Sequence, residues 1–454
     1  MGKLFGTDGV RGLANADLTP ELALALGRAA VGVLLTEGPG GEGPAPARPA
    51  VLVGRDPRAS GTLLESALVA GILSAGGDVL AAGVVPTPAV AFLTRHFGAA
   101  AGAVISASHN AMPDNGIKFF GPEGFKLPDA VEDHIEAALG TDAHGAPRPT
   151  GAGVGVLRPA ADDAVEAYLA HLLEGIPDLD GLEVVVDCAN GAAAEIAPEA
   201  YRRAGAKVTA VAADPDGHNI NDGVGSTHPE HVQAALARTG ARVGLAHDGD
   251  ADRLLAVDEH GTLVDGDVIL AICALDARDR GELPTNTVVT TVMTNLGFRQ
   301  AMDHHGIAVT QTAVGDRYVL EAMRAGGHTL GGEQSGHLIF LDRATTGDGL
   351  LTGLRLLSVV ARSGQPLSEL ATVMRRLPQV LVNVRVADRH ALERAAAVWR
   401  AVEAEQARLG DTGRVLVRPS GTEALVRVMV EAETQEEATA TADRLAAVVA
   451  AELG

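Results

Sequence analysis

The run Val243-Gly244-Leu245-Ala246-His247-Asp248-Gly249-Asp250-Ala251-Asp252-Arg253-Leu254-Leu255-Ala256-Val257 decides the fold. Residues 243–246 and 254–257 are short apolar runs of strand character, and the turn between them carries three carboxylates at alternate positions. Carboxylates so placed can converge on one hard cation. With a cation present, the guanidinium of Arg253 is free to face a phosphate. An EF-hand is excluded. Glu259 does stand at loop position twelve, but position six is Arg253 where that loop needs glycine, and both flanks read as strands. A solvated acidic turn is the plain alternative.

Outward from this run, strands and helices alternate. Residues 183–187 read as a strand, 192–204 as a helix and 207–211 as the next strand. Further upstream, strand 51–53 leads through Gly54-Arg55-Asp56-Pro57 into a helix bearing Leu63, Leu64, Leu68 and Ile72, and 103–105 is another buried strand. Downstream come strand 288–292 and helix 349–361. Such alternation argues for α/β layers with largely parallel sheets. The pattern changes near Leu381: strand 382–386, a helix over 391–407 with the sole Trp399, strands 414–417 and 424–430, and a helix over 438–453. That βαββα order predicts a small α+β domain. The expected division is 1–154, 155–258, 259–373 and 374–454, with the Gly- and Pro-rich residues 37–49 as an exposed insertion.

Bulk properties agree. At about 150 residues per domain, 454 residues make three domains or four small ones. A chain 46% hydrophobic and 21% charged is not wholesale disordered, and 3% aromatics leave the cores to Val, Leu, Ala and Ile. The net charge of -22 excludes a diffuse basic face for nucleic acid or anionic lipid, so an anionic substrate needs a local basic pocket. Two cysteines, Cys188 and Cys273, make no disulfide framework, which fits a reducing compartment. With no leader-like start and no apolar run of the ~18 residues a span needs, a cytoplasmic protein without membrane contact is expected.

Three further stretches carry chemistry. Ser106-Ala107-Ser108-His109-Asn110 leaves the strand at 103–105, so a serine stands beside a histidine, as a nucleophile beside a base or as a helix cap or turn. Asp114-Asn115-Gly116 reads as a turn before Ile117-Lys118-Phe119-Phe120. Lysine occurs only at 3, 118, 126 and 207, and Lys118 in an apolar strand needs an anionic partner. Gly331-Gly332-Glu333-Gln334-Ser335-Gly336-His337 puts Glu333, Ser335 and His337 on one side of a loop, suited to sugar hydroxyls or merely a hairpin turn. Arg418-Pro419-Ser420-Gly421-Thr422-Glu423 joins two strands as a phosphate cradle, with Arg427 nearby, or as a plain hairpin loop.

Together with Phe5-Gly6-Thr7-Asp8-Gly9-Val10-Arg11-Gly12, these motifs occur in an order that resembles the α-D-phosphohexomutase superfamily along essentially the full chain. The resemblance implies three similar α/β domains with mixed, largely parallel sheets and a C-terminal α+β domain around a central cleft. It implies a phosphorylated Ser108, and one Mg2+ held by Asp248, Asp250, Asp252 and a phosphoserine oxygen. Arg11, His109, Lys118 and Arg253 would surround the transferring group. By residue type Lys118, His109 and His337 each qualify as the general acid/base, with Lys118 or His337 favoured. Glu333 and Ser335 would hold sugar hydroxyls; Arg418, Ser420, Gly421 and Thr422 would hold the non-reacting phosphate. The implied partner is a small phosphosugar, and since members are often dimers a homodimer is open. Gln334 and the opening octapeptide favour an amino-sugar substrate over the phosphomannomutase or phosphoglucomutase alternative. A non-catalytic phosphosugar binder is disfavoured by the intact Ser108, Asp triplet and Lys118. One departure stands out: Ala111 follows Asn110 where the superfamily usually has proline, implying a slightly looser serine loop.

Overall fold

The computed structural model describes residues 4–6, 8–37, 48–140, 148–420 and 423–454. The interior of the expected insertion, and Gly421 and Thr422 of the last motif, lie outside the described residues. The chain divides into two compact units, Met1–Val292 with Thr310–Ala371, and Met293–Val309 with Thr372–Gly454.

In the first unit a six-stranded sheet runs in the order Val10–Leu13, Asp114–Phe120, Ala101–Ile105, Ala50–Arg55, Asp78–Val84, Leu157–Pro159. Its last four strands pair in parallel and the first two are antiparallel additions. Ala101–Ile105 is buried at every position and Ala50–Arg55 at its four inner ones, which is why those buried positions are apolar rather than alternating. The helices Pro20–Glu37 and Ala59–Ser74 cross so closely that a Cβ on Gly27 would strike Leu68 O, and one on Gly71 would strike Leu24 O. Only glycine fits at those two positions.

A second sheet orders Leu263–Val264, Leu254–Val257, Val243–His247, Glu183–Asp187 and Lys207–Val211. Leu254–Val257 pairs antiparallel with both Val243–His247 and Leu263–Val264, so the acidic turn is a hairpin connection beside the parallel strands Val243–His247, Glu183–Asp187 and Lys207–Val211. A third sheet orders Ala308–Thr312, Thr287–Thr291, Leu330–Gly332 and Leu338–Phe340, the last two joined by the Glu333–His337 loop. The second unit holds an antiparallel sheet, Gln379–Arg385, Leu425–Glu431 and Arg414–Pro419, covered by Ala396–Leu409 and Gln435–Leu453. The α/β class with a C-terminal α+β unit is as expected.

Three local expectations are corrected. Asp114-Asn115-Gly116 is not a turn: these residues open the strand Asp114–Phe120 and pair with Leu13, Gly12 and Arg11. Turn-like composition gives way to a partner strand too short to be seen in sequence. The helix expected at 192–204 starts only at Ile196. Ala189 and Asn190 adopt φ of 54° and 45°, and Ala192 N donates to Gly249 O at 2.8 Å, so this backbone serves the acidic loop instead. The helix expected at 391–407 is broken at Ala395 into a 3-10 turn, Arg389–Arg394, and the helix Ala396–Leu409, with Trp399 Nε1 donating across the break to Leu392 O at 2.9 Å.

Candidate active site

The buried strand Ala101–Ile105 delivers the serine loop at its C-terminal end, where ligand sites of open α/β sheets form. Ser108 is 2% exposed and holds φ of 52°, a left-handed conformation costly for a residue with a Cβ. Its Oγ donates to Asp248 Oδ2 at 2.7 Å and lies 3.1 Å from His109 Nδ1. The loop expected at 106–110 and the acidic loop of the second sheet therefore meet directly.

Asp248, Asp250 and Asp252 are all buried, with one carboxylate oxygen from each lying within 4.8 Å of the others. Asp250 Oδ2 accepts from Thr87 Oγ1 at 2.6 Å and lies 3.3 Å from Lys118 Nζ. Oδ1 of Asp250 and Oδ1 of Asp252 are buried without a hydrogen-bond partner. Burial and then the neighbouring Asp252 and Asp250 push the Asp248 carboxyl well up, and burial with Asp250 raises Asp252. For Asp250 burial also acts upward, but Lys118 and the Thr87 hydroxyl outweigh it and bring it down to about 2. Three buried carboxylates, two of them with an orphaned oxygen, beside one hydroxyl are a donor set for a hard divalent cation, and the residues fit one. Glu259, the EF-hand rival's twelfth ligand, instead accepts from Ser368.

Basic side chains surround this acidity. Lys118 projects from Asp114–Phe120, is 2% exposed, and bridges Asp250 to Asp8 Oδ2 at 3.2 Å, which answers its need for anionic partners. Burial opposes its charge, yet Asp8, Asp250 and Asp252 raise it above the usual lysine range. Asp8 also hydrogen-bonds Arg11 and accepts from Lys126 Nζ at 2.9 Å. These three cations overcome burial and hold its carboxyl well below normal. Lys126 reaches on to Asp316 Oδ2 at 2.6 Å. Burial, Arg253 and Arg11 lower His109 to about 4. Arg253 N donates to Asp248 Oδ1 at 3.2 Å, while its buried Nε makes no hydrogen bond and stands 3.8 Å from Asp252 Oδ1.

The third sheet's loop joins the same region. Leu254 N, just past the acidic turn, donates to Gly336 O at 3.0 Å, and a Cβ on Gly336 would strike Leu254 O. His337 Nε2 lies 3.9 Å from Asp252 Oδ2 and 3.8 Å from Asp316 Oδ2, and its Nδ1 is buried without a partner. Glu333 Oε1 accepts from Gly315 N at 3.2 Å; Ser335 Oγ is buried and unpartnered. In the second unit, Arg418 and Arg427 stand opposite each other in strand register, and Ser420 is buried with its carbonyl taken by Arg389 Nη1 at 2.9 Å. Burial and Arg427 lower the Arg418 guanidinium. Sequence reading gave no role to Asp8, Thr87, Lys126 or Asp316. Only the scarcity of lysine pointed toward Lys126.

Comparison with known proteins decides the family. Models of the phosphoglucomutase/phosphomannomutase alpha/beta/alpha domains I, II and III match residues 2–145, 166–261 and 265–377, and the C-terminal domain matches 381–448. The chain belongs to this phosphohexomutase family. It is thus an enzyme of the isomerase class acting on a phosphosugar. Phosphoglucosamine mutase from Rhodococcus opacus is 59% identical over 452 residues, covering 99% of this chain and 100% of the relative. That from Streptomyces griseus is 58% identical over 457 residues, with 100% of both chains covered. Among solved structures, a phosphoglucomutase/phosphomannomutase family protein of Burkholderia thailandensis superposes with a TM-score of 0.81 at 26% identity, over 99% of this chain and 97% of that one. The Aspergillus fumigatus N-acetylphosphoglucosamine mutase, solved with GlcNAc-6P and magnesium, shares the fold at a TM-score of 0.68 and 20% identity, over 99% and 96% of the two chains. Among the described residues of this phosphohexomutase, no helix is long and apolar enough to cross a membrane.

Proposed function

We propose that this phosphohexomutase interconverts glucosamine 6-phosphate and glucosamine 1-phosphate in the cytoplasm, through a phosphorylated Ser108 and a 1,6-bisphosphate, feeding amino-sugar nucleotide and peptidoglycan precursors. The observation that carries the chemistry is Ser108 Oγ, 2.7 Å from Asp248 and beside the orphaned oxygens of Asp250 and Asp252. Full-length identity to phosphoglucosamine mutases supports the amino-sugar substrate over glucose or mannose phosphates.

Asp248, Asp250, Asp252 and an oxygen on Ser108 would hold Mg2+. When bound, the ion neutralises charge on the phosphoryl oxygens. In the first transfer the sugar's O1 attacks phosphorus on Ser108: the P–O1 bond forms, the P–Oγ bond breaks, and the O1 proton passes to a base. After the bisphosphate reorients, Ser108 Oγ attacks the 6-phosphoryl group, the P–O6 bond breaks, and O6 takes a proton. Phosphoryl transfer needs positioning and charge neutralisation more than covalent help. Lys118, Arg11, His109 and Arg253 supply the positive or hydrogen-bonding surroundings. Of the two acid/base candidates, Lys118 and His337, His337 keeps an unpartnered Nδ1 for a proton, while Lys118, despite its burial raised by Asp8 and Asp250, stays charged and faces the transferring group as a cation. Glu333 and Ser335 grip sugar hydroxyls, and the loop of Arg418 and Ser420, with Arg427, takes the phosphate that is not reacting.

Turnover of glucosamine 6-phosphate measured beside glucose 1-phosphate and mannose 1-phosphate tests the substrate. The amino sugar should give the highest kcat/KM; preference for a neutral sugar would make the enzyme a phosphomannomutase or phosphoglucomutase.

A further inference from the structure

Beneath the serine loop lies a guanidinium sealed from solvent. Arg58 is 0% exposed and stands just ahead of the helix Ala59–Ser74. Its Nε donates to Asp56 Oδ2 at 2.9 Å, Nη1 to Ala111 O at 2.6 Å, and Nη2 to Ser108 O at 3.0 Å and Asn110 O at 2.8 Å. A buried arginine is costly unless its charge and its donors are matched. Here the charge meets Asp56, itself 0% exposed, and three donations go to carbonyls of one loop. Asp56 Oδ2 also accepts from Ser106 Oγ at 2.7 Å, and Ser106 Oγ accepts from Ser108 N at 2.9 Å. Both the amide and the carbonyl of Ser108 are therefore tied to the Arg58–Asp56 pair.

A second grip comes from another sheet. Asn221, in the connection after Lys207–Val211, donates through Nδ2 to Ser108 O at 2.9 Å and Asn110 O at 3.0 Å, two of the carbonyls that Arg58 holds. A strained, left-handed residue persists only where its surroundings over-determine it. Ser108 is such a residue, and its carbonyl is fixed twice, from both sides of the junction between the serine and acidic loops.

We infer that Arg58 and Asn221 are positioning residues that hold Ser108 in its left-handed conformation and so aim Oγ at Asp248. They act through the loop's carbonyls. Without them Ser108 relaxes toward an ordinary φ and its Oγ swings off the line of transfer. The grip on Ala111 O also fastens the one loop position that lacks the superfamily's proline. This inference rests on Ser108 being the phosphate carrier.

The test compares Arg58→Lys, which keeps a charge opposite Asp56 but loses the fork, with Asn221→Gly. Glycine tolerates the φ of 58° at position 221 and removes only the side-chain donor. Misplacement of a reacting atom by about 1 Å costs about 100-fold, so kcat should fall about 100-fold in Arg58→Lys and about 10-fold in Asn221→Gly, with KM for glucosamine 6-phosphate within about threefold. Single-turnover transfer from the phosphoenzyme should slow by the same factors. If either folded variant keeps wild-type kcat and single-turnover rate and loses only Tm, or raises KM alone, the positioning role is overturned for that residue. Should Arg58→Lys not fold, Asn221→Gly decides by the same criteria. Ser108→Ala run in parallel separates the two levels. If it is inactive while Asn221→Gly turns over normally, only this inference fails; if it is active, the phosphate-carrier reading fails.

Discussion

The region around Ser108 and the loop around Arg418 manage charge in opposite ways. In the first, every described cation already meets an acid: Lys118 lies between Asp8 and Asp250, and Lys126 between Asp8 and Asp316. What is left over are carboxylate oxygens of Asp250 and Asp252, with Nε of Arg11 and Arg253 and Nδ1 of His337 also unpartnered around them. In the second, Arg418 faces Arg427 across the strand pair, the Arg427 Nε is buried without a partner, and Glu423 comes only to 4.0 Å of Arg427. One region is short of a cation and the other short of an anion. The difference supports the proposed roles, a metal ion for the first and the non-reacting phosphate for the second.

Substitution at each pole can break that contrast. Asp250→Asn removes half of the unfilled negative charge at one position, and turnover should drop about 1000-fold with little change in KM, alongside weakened Mn2+ binding measured by titration calorimetry. A variant with near-normal turnover and unchanged metal affinity would contradict the cation deficit. Arg418→Ala should act mainly on binding. Loss of one charge-assisted hydrogen bond, about 1.5–3 kcal/mol, raises KM about 10- to 100-fold and leaves the phosphorylation of Ser108 intact. A fall in kcat at constant KM would show that this loop is not a phosphate clamp.

The smallest effect sharpens the contrast between the two units by acid titration. In the first, burial and then Arg343 lower His171 to about 4, from an ordinary value of 6.5. The folded state resists its protonation, so the stability tied to it is present above pH 6.5 and fades as pH falls toward 4. In the second, the hydrogen bond from Arg444, with Arg408, brings Glu405 down to about 2 from 4.5, and its share of stability fades only between those values. Replacing His171 by Phe should flatten the pH dependence of Tm between 6.5 and 4, whereas Glu405→Gln should alter it only below about 4.5. A Glu405→Gln effect that sets in well above pH 4.5, or a His171→Phe effect confined below pH 4, would refute the assignment.

How much of this was legible in sequence follows from how local each signal is. The acidic turn and the strands at 243–247 and 254–257 are contiguous, so their period and composition sufficed. Lys118 could be flagged because a lysine in an apolar strand demands an anion; which anion could not, since Asp8 and Asp250 are brought to it by pairing across 110 residues and by packing of a second sheet. The strand Val10–Leu13 was hidden by its four-residue length, and with it went the true setting of Asp114–Gly116. Thr87, Arg58 and Asn221 serve backbone or carboxylate atoms far away in the chain, and nothing in their own neighbourhoods marks them.

Isotope tracing on Ser108 tests the central claim most directly. Enzyme carrying a 32P-labelled phosphoryl group on Ser108 is mixed with one equivalent of unlabelled glucosamine 6-phosphate, and the protein and sugar are then analysed separately. The label should appear in glucosamine 1-phosphate, with Ser108 left phosphorylated but unlabelled. Label that stays on Ser108 while product forms, or that leaves only as inorganic phosphate, would contradict a shuttle through this residue.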